Sequence, residues 1–159
     1  MKSGIKRVLN VNSYMLNGCY SIVDQTRPGE AVKLFKSLRE DVEDKKHVMF
    51  VFDGASAPMG FIKGRVFNYI FDIKTGKTSL QTEIDYLFVD EKYQGAGVAD
   101  MLLKAYEKYC IENGVEKISL KSMPTKQALG FYAKNGYAKA NGSMLMTKFV
   151  RSALKQKQL

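Results

Sequence analysis

The sequence predicts a mixed α/β domain that contains an antiparallel sheet, and three observations lead to this class. The chain has 159 residues with 45% hydrophobic residues, values typical of one globular domain with its own core. Residues 46–89 alternate apolar runs with turn sequences, as three consecutive antiparallel strands do. From Val98 onward, the apolar residues recur with the period of a helix.

The first 45 residues predict two short strands and a helix. Residues 6–17 and 19–24 flank Asn17-Gly18, a turn sequence, and are therefore predicted to pair as strands. Pro28 fits the first position of a helix over 28–44. The apolar residues of this segment follow helical spacing; they are Ala31, Val32, Leu34, Phe35, Leu38 and Val42.

Two further groups of elements complete the prediction. Strands are expected at 46–52, 59–73 and 79–89, with turns at Asp53-Gly54 and at 74–77. The helix after Val98 ends at Asn113-Gly114, because glycine commonly follows the last turn of a helix. The remaining elements are a strand at 117–122, a helix from Pro124 to Asn135-Gly136, a hairpin of 137–140 with 143–150 around Asn141-Gly142, and a basic tail at 151–159.

Several protein classes are excluded by composition. The sequence has no secretory start and no apolar run of about 20 residues, so we expect a cytoplasmic protein without a membrane partner. Cys19 and Cys110 are distant from each other and are expected to be reduced, and Cys110 is interpreted as a core thiol. His47 is the only histidine. Neither a metal site nor a Ser-His-Asp triad is therefore expected.

Positive charge is concentrated at the C-terminal end. The formal net charge is +9, from 25 basic and 16 acidic residues. Residues 1–116 contain 16 basic and 16 acidic residues, whereas 117–159 contain nine basic residues and no acidic one. Such asymmetry favours an anionic partner for this end, either cofactor phosphates, nucleic acid or an acidic protein face. The alternative is a solvated surface that keeps the protein soluble.

The strand-to-helix turn around Gly95-Ala96-Gly97 is a candidate anion site. Small residues there expose backbone N–H groups at the positive end of a helix. The segment is not a Walker A loop, because Val98 follows Gly97, and it lacks the last glycine of a Rossmann loop. A plain helix start capped by glycine is the alternative interpretation.

The segment Gln94-Gly95-Ala96-Gly97-Val98-Ala99 resembles the Q/R-x-x-G-x-G/A signature of the GCN5-related N-acetyltransferase (GNAT) family. The segments at 87–89, 101–103, 128–137 and 144–148 resemble family elements in the same order. The resemblance covers 57–150, whereas 1–56 matches only as strand–helix–strand and the basic tail 151–159 lies beyond it. It implies a single acetyltransferase domain over 1–159.

The resemblance implies a mostly antiparallel central sheet with helices on both faces. This sheet splays apart between its fourth and fifth main strands, and acetyl-CoA is the co-substrate held there, with no metal. Its pantetheine arm is expected to pair with Leu87, Phe88 and Val89. Its pyrophosphate is expected on the backbone of Gln94, Gly95, Ala96, Gly97, Val98 and Ala99.

The resemblance also implies the catalytic groups. An amine must lose a proton before it attacks the thioester, and Glu83 or Asp85 is the candidate base. These carboxylates are two residues apart on one strand and therefore share a face. Tyr132 corresponds to the family tyrosine that faces the CoA sulfur. Thr125 stands where many members have asparagine.

We therefore expect an acetyl-CoA-dependent N-acetyltransferase that transfers the acetyl group directly to a primary amine in a ternary complex. The acceptor is a small molecule, a protein or an RNA-borne amine such as aminoacyl-tRNA. A second hypothesis is a non-catalytic CoA-binding or nucleic-acid-binding module on the same fold. A monomer and a homodimer are both compatible with the sequence.

Overall fold

Over residues 4–10, 15–54, 56–140 and 144–150, which are the residues it describes, the computed structural model contains four α-helices and a seven-stranded sheet. The strands are β1 (Gly4–Arg7), β2 (His47–Asp53), β3 (Pro58–Asp72), β4 (Lys77–Val89), β5 (Lys117–Lys121), β6 (Ala138–Lys139) and β7 (Leu145–Phe149). The helices are α1 (Met15–Thr26), α2 (Glu30–Glu43), α3 (Val98–Glu112) and α4 (Lys126–Lys134), with a 3₁₀ turn at Glu91–Tyr93.

The sheet has the strand order β1-β2-β3-β4-β5-β7-β6. Antiparallel pairs join β1 to β2, β2 to β3, β5 to β7 and β6 to β7, whereas β4 and β5 are parallel. Helices flank this sheet, so the mixed, mostly antiparallel fold expected from the sequence is confirmed. The parallel register joins Gln81–Ile84 to Lys117–Leu120, and β4 then continues to Val89 beyond its last residue paired with β5.

The chain divides into two compact units. The first unit comprises residues 1–65 and 86–107, and the second unit comprises 66–85 and 108–159. Buried residues of α1, α2, β2 and β3 belong to one hydrophobic core cluster of the first unit. Cys19 lies fully inside this cluster, where burial and the nearby Asp53 carboxylate raise the pKa of its thiol to about 12. Cys110 is also buried, as expected of a core thiol.

The prediction of paired strands at 6–17 and 19–24 is wrong. The structure has the short strand β1 and then helix α1, which runs through Asn17-Gly18; residues 11–14 lie outside the described part of the chain. The buried residues of α1 follow helical spacing; they are Met15, Leu16, Cys19, Ile22 and Val23. Gly18 is needed for close packing, because a Cβ there would lie 2.6 Å from Pro58 Cδ.

The other predicted elements agree with the structure apart from their ends. Helix α2 begins at Glu30 rather than Pro28, because Gly29 adopts a left-handed backbone with φ of 88°. The predicted strands at 46–52, 59–73 and 79–89 correspond to β2, β3 and β4, and the later helices correspond to α3 and α4. The Asn141-Gly142 turn of the last hairpin lies outside the described residues. Within the described part of the chain, no helix is long and apolar enough to span a bilayer.

A buried ion pair joins α2 to β3 in the first unit. Lys63 is completely buried, and its Nζ forms an ion pair with Asp41 and donates a hydrogen bond to Ser37 Oγ at 2.9 Å. A buried ammonium group requires such partners because its desolvation is costly.

Asp41→Ala is expected to lower the free energy of unfolding by about 3–5 kcal/mol, because it removes the carboxylate that forms an ion pair with the buried Lys63 ammonium. Urea unfolding followed by circular dichroism measures this loss. Glu43→Ala is the matched control, since its pair with Arg39 is exposed at 3.7 Å and should contribute less than about 1 kcal/mol. Alanine favours helix at both positions of α2, so propensity cannot explain a loss. Equal small effects would contradict this role for Asp41.

Candidate functional site

The turn between β4 and α3 has an open backbone. Gly95 and Gly97 both adopt a left-handed φ of 83°, which glycine reaches without strain. A Cβ added at either glycine would meet no atom within 4 Å. Before the glycines, Asp90 caps the 3₁₀ turn by accepting a hydrogen bond from the Lys92 N–H at 3.0 Å. The turn therefore leaves open space beside the α-carbons of its two glycines.

Helix α3 presents unpaired donors to this turn. Its first residues lack intrahelical acceptors, as at any helix start, and the Met101 N–H donates to the Gly97 carbonyl at 3.1 Å. Residues 91–97 are all exposed. Asp100 brings a negative charge into the first turn, but its carboxylate pairs with Lys104 at 2.8 Å. The Ala96 N–H already donates to the Tyr93 carbonyl at 3.3 Å, so the first N–H groups of α3 and the positive helix end are the groups that can hold an anion.

Two residues absent from the sequence prediction hold this turn in place. A Cβ at Gly60 on β3 would lie 2.8 Å from the Phe88 carbonyl oxygen and 3.1 Å from Val98 Cγ1. Gln25, at the end of α1, accepts a hydrogen bond from the Glu91 N–H at 3.3 Å and donates to Asp90 at 3.4 Å. A glycine inside a predicted strand is a signal of such close approach, whereas nothing local indicates the role of Gln25.

The last residues of β4 lie beside an aromatic cluster of the first unit. Leu87, Phe88 and Val89 are half-buried. The Phe88 ring stacks on Phe61 at 6.0 Å between centroids, with an interplanar angle of 30°. The guanidinium of Arg27 lies 5.5 Å from the centroid of the Phe88 ring. These contacts fix the strand segment that the sequence analysis assigned to the pantetheine arm.

The two candidate carboxylates lie on β4 in the second unit. Glu83 is half-buried and is paired with Ser119 of β5 in the parallel register. Asp85 is exposed and follows the last β4 residue that is paired with β5. Both alternate with the buried residues Thr82 and Ile84. Glu83 and Asp85 therefore share the opposite face of the strand.

Tyr132 lies in the last turn of α4, also in the second unit. Its ring makes edge-to-face contacts with Phe131 at 5.1 Å and with Tyr137 at 5.8 Å. Burial raises the pKa of the Tyr132 phenol to about 12, so the hydroxyl stays protonated in neutral solution. None of the described residues hydrogen-bonds this hydroxyl. Thr125 caps the start of α4 by accepting a hydrogen bond from the Ala128 N–H at 3.2 Å.

The structure groups the candidate residues in two sets. Residues 87–89 and 94–99 belong to the first unit, whereas Glu83, Asp85 and Tyr132 belong to the second. Among the described residues, no three His, Cys, Asp or Glu side chains form a cluster that could hold a metal ion.

The basic C-terminal end is only partly described. The exposed lysines of this end include Lys121, Lys126 and Lys139. Lys117 lies over the Phe149 ring at 5.7 Å, and Lys148 is bonded to the end of α4. The remaining basic residues of the tail lie outside the described residues; they are Arg151, Lys155 and Lys157.

Comparison with known proteins agrees with this fold. Residues 14–137 match the Acetyltransferase (GNAT) family. No curated protein sequence matches the chain. The structure of Arabidopsis thaliana NAA60 with acetyl-CoA has a TM-score of 0.72 at 17% identity, covering 94% of this chain and 99% of that one. The GNAT family N-acetyltransferase YhbS from Escherichia coli, in complex with CoA, has a TM-score of 0.69 at 18% identity, with 94% and 82% covered.

A third similar structure is a predicted acetyltransferase from Clostridium acetobutylicum with acetyl-CoA. Its TM-score is 0.70 at 13% identity, and the match covers 89% of this chain and 93% of that one. Identities this low show a shared fold, and the family match over most of the chain shows the class. The chain belongs to the GNAT family of acetyltransferases.

Proposed function

We propose that this protein is an acetyl-CoA-dependent N-acetyltransferase that transfers the acetyl group directly to a primary amine in a ternary complex. The open turn at Gly95 and Gly97 carries this proposal, because it exposes backbone donors at the start of α3 within the family signature. The solved relatives that contain acetyl-CoA or CoA support the choice of co-substrate.

Acetyl-CoA fits the donors that the first unit offers. Its pyrophosphate is doubly charged, and the exposed turn at 95–97 leads directly into the positive N-terminal end of α3. A side chain at Gly95 or Gly97 would extend into open space, because a Cβ there meets no atom within 4 Å. The backbone of Leu87, Phe88 and Val89 is proposed to pair with the pantetheine amides.

The residues of the second unit are proposed to manage protons. An alkyl amine with a pKa near ~10.4 is mostly protonated at neutral pH and cannot attack a thioester. Glu83 or Asp85 accepts that proton, directly or through water. Tyr132 donates a hydrogen bond to the departing sulfur. Full proton transfer is unfavourable, because the pKa of Tyr132 is about 12 and that of a thiol is ~8.5. The Tyr132 O–H therefore stabilises the negative charge on sulfur.

An acceptor panel tests the reaction. We expect the full chain with acetyl-CoA to acetylate one class among small amines, polyamines, peptides and aminoacyl-tRNA, with one thiol released per acetylated amine. Polyamines should be the poorest acceptors, because the net charge is +9 and its excess lies at the C-terminal end. Thiol release is measured colorimetrically, and the product by mass spectrometry.

Two outcomes of the panel would contradict the proposal. Acetyl-CoA binding without turnover on any acceptor would favour a non-catalytic CoA-binding module, and thiol release without an acetylated amine would indicate a hydrolase.

The test of an RNA-borne acceptor has its own control. Binding of tRNA through the basic end must weaken with salt, with a log–log slope of about 0.7–0.9 per phosphate contact. If tRNA does not bind the protein at low salt, an RNA-borne acceptor is excluded.

A further inference from the structure

The end of helix α4 is fixed by a Schellman motif centred on Tyr132. The Tyr137 N–H donates to the Tyr132 carbonyl at 3.0 Å, and the Gly136 N–H donates to the Ala133 carbonyl at 3.0 Å. Gly136 has the left-handed φ of 91° that this motif requires. A side-chain contact between the two ends of the motif commonly accompanies it, and here it joins the rings of Tyr132 and Tyr137 at 5.8 Å and 71°.

Lys148 of β7 lies across this helix end. Its Nζ donates to the Asn135 carbonyl at 2.8 Å and lies 5.6 Å from the centroid of the Tyr137 ring. A Cβ at Gly136 would lie only 3.3 Å from Lys148 Cε, so the side chain passes directly over the glycine. The backbone of Lys148 is fixed in the sheet by its pairing with Ile118. One ammonium group thus contacts both the last carbonyl of the helix and the ring that packs on Tyr132.

We propose that Lys148 is a positioning residue that orients the hydroxyl of Tyr132 through the ring of Tyr137. The ammonium group of Lys148 restricts the orientation of the Tyr137 ring. The edge-to-face contact between the two rings then restricts the orientation of Tyr132. The backbone bond between Tyr137 and Tyr132 ties the two residues at their other end. This inference rests on the proposed role of Tyr132 in the transfer reaction.

The orientation matters because a hydrogen bond weakens steeply when its donor is misaligned. Tyr132 has two rotatable side-chain bonds, and no described residue holds its hydroxyl directly. Its alignment therefore depends on ring packing. Lys148 contributes to that packing through the Tyr137 ring, from a strand whose backbone is paired in the sheet.

A double-mutant cycle tests the proposal. Tyr132→Phe should lower kcat by about 10- to 100-fold, which is the loss of one hydrogen bond to a developing charge. Lys148→Met should lower kcat about fivefold with an unchanged KM for acetyl-CoA, because misalignment costs part of that bond. In the Tyr132→Phe background, Lys148→Met should have no further effect on kcat. Lys148→Arg, which keeps the cation, should restore most of the lost rate.

Lys134→Met is the matched control. Lys134 is an exposed lysine in the last turn of the same helix, so its loss also removes a positive charge near the helix C-terminus. This variant should retain the parental kcat. If Lys148→Met fails to fold, Lys148→Gln carries the test, because it keeps a donor for the Asn135 carbonyl and removes the cation.

The outcomes separate the positioning role from the proposed function. Multiplicative effects of Lys148→Met and Tyr132→Phe, or an unchanged kcat in Lys148→Met, would overturn the positioning role alone. Equal losses in Lys148→Met and Lys148→Arg would do the same. An unchanged kcat in Tyr132→Phe would remove the role of Tyr132 itself, and no turnover by the parental protein on any acceptor would remove both. The assay uses the fastest acceptor of the panel, at saturating concentration.

Discussion

Gly97→Glu is expected to weaken acetyl-CoA binding by at least about 100-fold while the protein stays folded. The carboxylate would occupy the space in front of the α3 donors and repel the pyrophosphate. Each hydrogen bond to a charged group that is lost costs about 1.5–3 kcal/mol, so the loss of two is sufficient for this effect. Nothing lies within 4 Å of a Cβ at Gly97, so the side chain enters without a clash.

Calorimetric titration of acetyl-CoA measures the effect, and two controls separate charge from backbone strain. Gly97→Ala carries the same backbone strain at a left-handed φ but adds no charge, so its binding should weaken far less. Gly76→Glu places a carboxylate at another open, left-handed glycine with φ of 68°, in the turn between β3 and β4. It should bind acetyl-CoA like the parental protein. Equal binding by Gly97→Glu and the parental protein, or no binding by the parental protein, would remove the central proposal.

The sequence predicted those elements whose signals are local. The period of α3, the glycine that follows it at 114 and the apolar runs of β2–β4 separated by turns depend on neighbouring residues, and the structure confirms these elements. The first strands were mispredicted because Asn17-Gly18 is a turn sequence wherever the chain is free to turn. Gly18 instead packs against Pro58, 40 positions later in the chain, and no local pattern indicates that contact.

The candidate site shows the same division. The exposed donors of the loop at 94–99 follow from its glycines and from the helix behind it, so they could be predicted. Gly60 and Gln25 act across long sequence separations and could not. Thr125 stands where many members of the GNAT family have asparagine. Its role as the cap of α4 gives this threonine a structural explanation. From the sequence, Lys148 is only one of nine basic residues at the C-terminal end. Its contact with the end of α4 depends on β7 lying beside that helix, which no local pattern indicates.

The double variant Glu83→Gln, Asp85→Asn is expected to lower turnover by about 10²–10⁴-fold, the usual contribution of a general base. The loss should grow as pH falls. Without a base, only amine already deprotonated by solvent reacts, and below its pKa of ~10.4 that fraction falls about tenfold per pH unit. The parental enzyme removes the proton within the complex, so its rate should depend less on pH.

The single variants assign the base. Glu83→Gln should account for most of the loss, because Glu83 is half-buried on a segment of β4 that is paired with β5, which holds its carboxylate in place, whereas Asp85 is exposed. Steady-state rates between pH 6 and 9 at saturating acetyl-CoA measure the loss of turnover and its dependence on pH. Glu43→Gln, on the exposed surface of α2, is the control. Acetyl-CoA affinity should stay at the parental value in every variant, since these carboxylates lie outside the donor set at 94–99. Parental turnover in the double variant would assign proton removal to another group or to solvent.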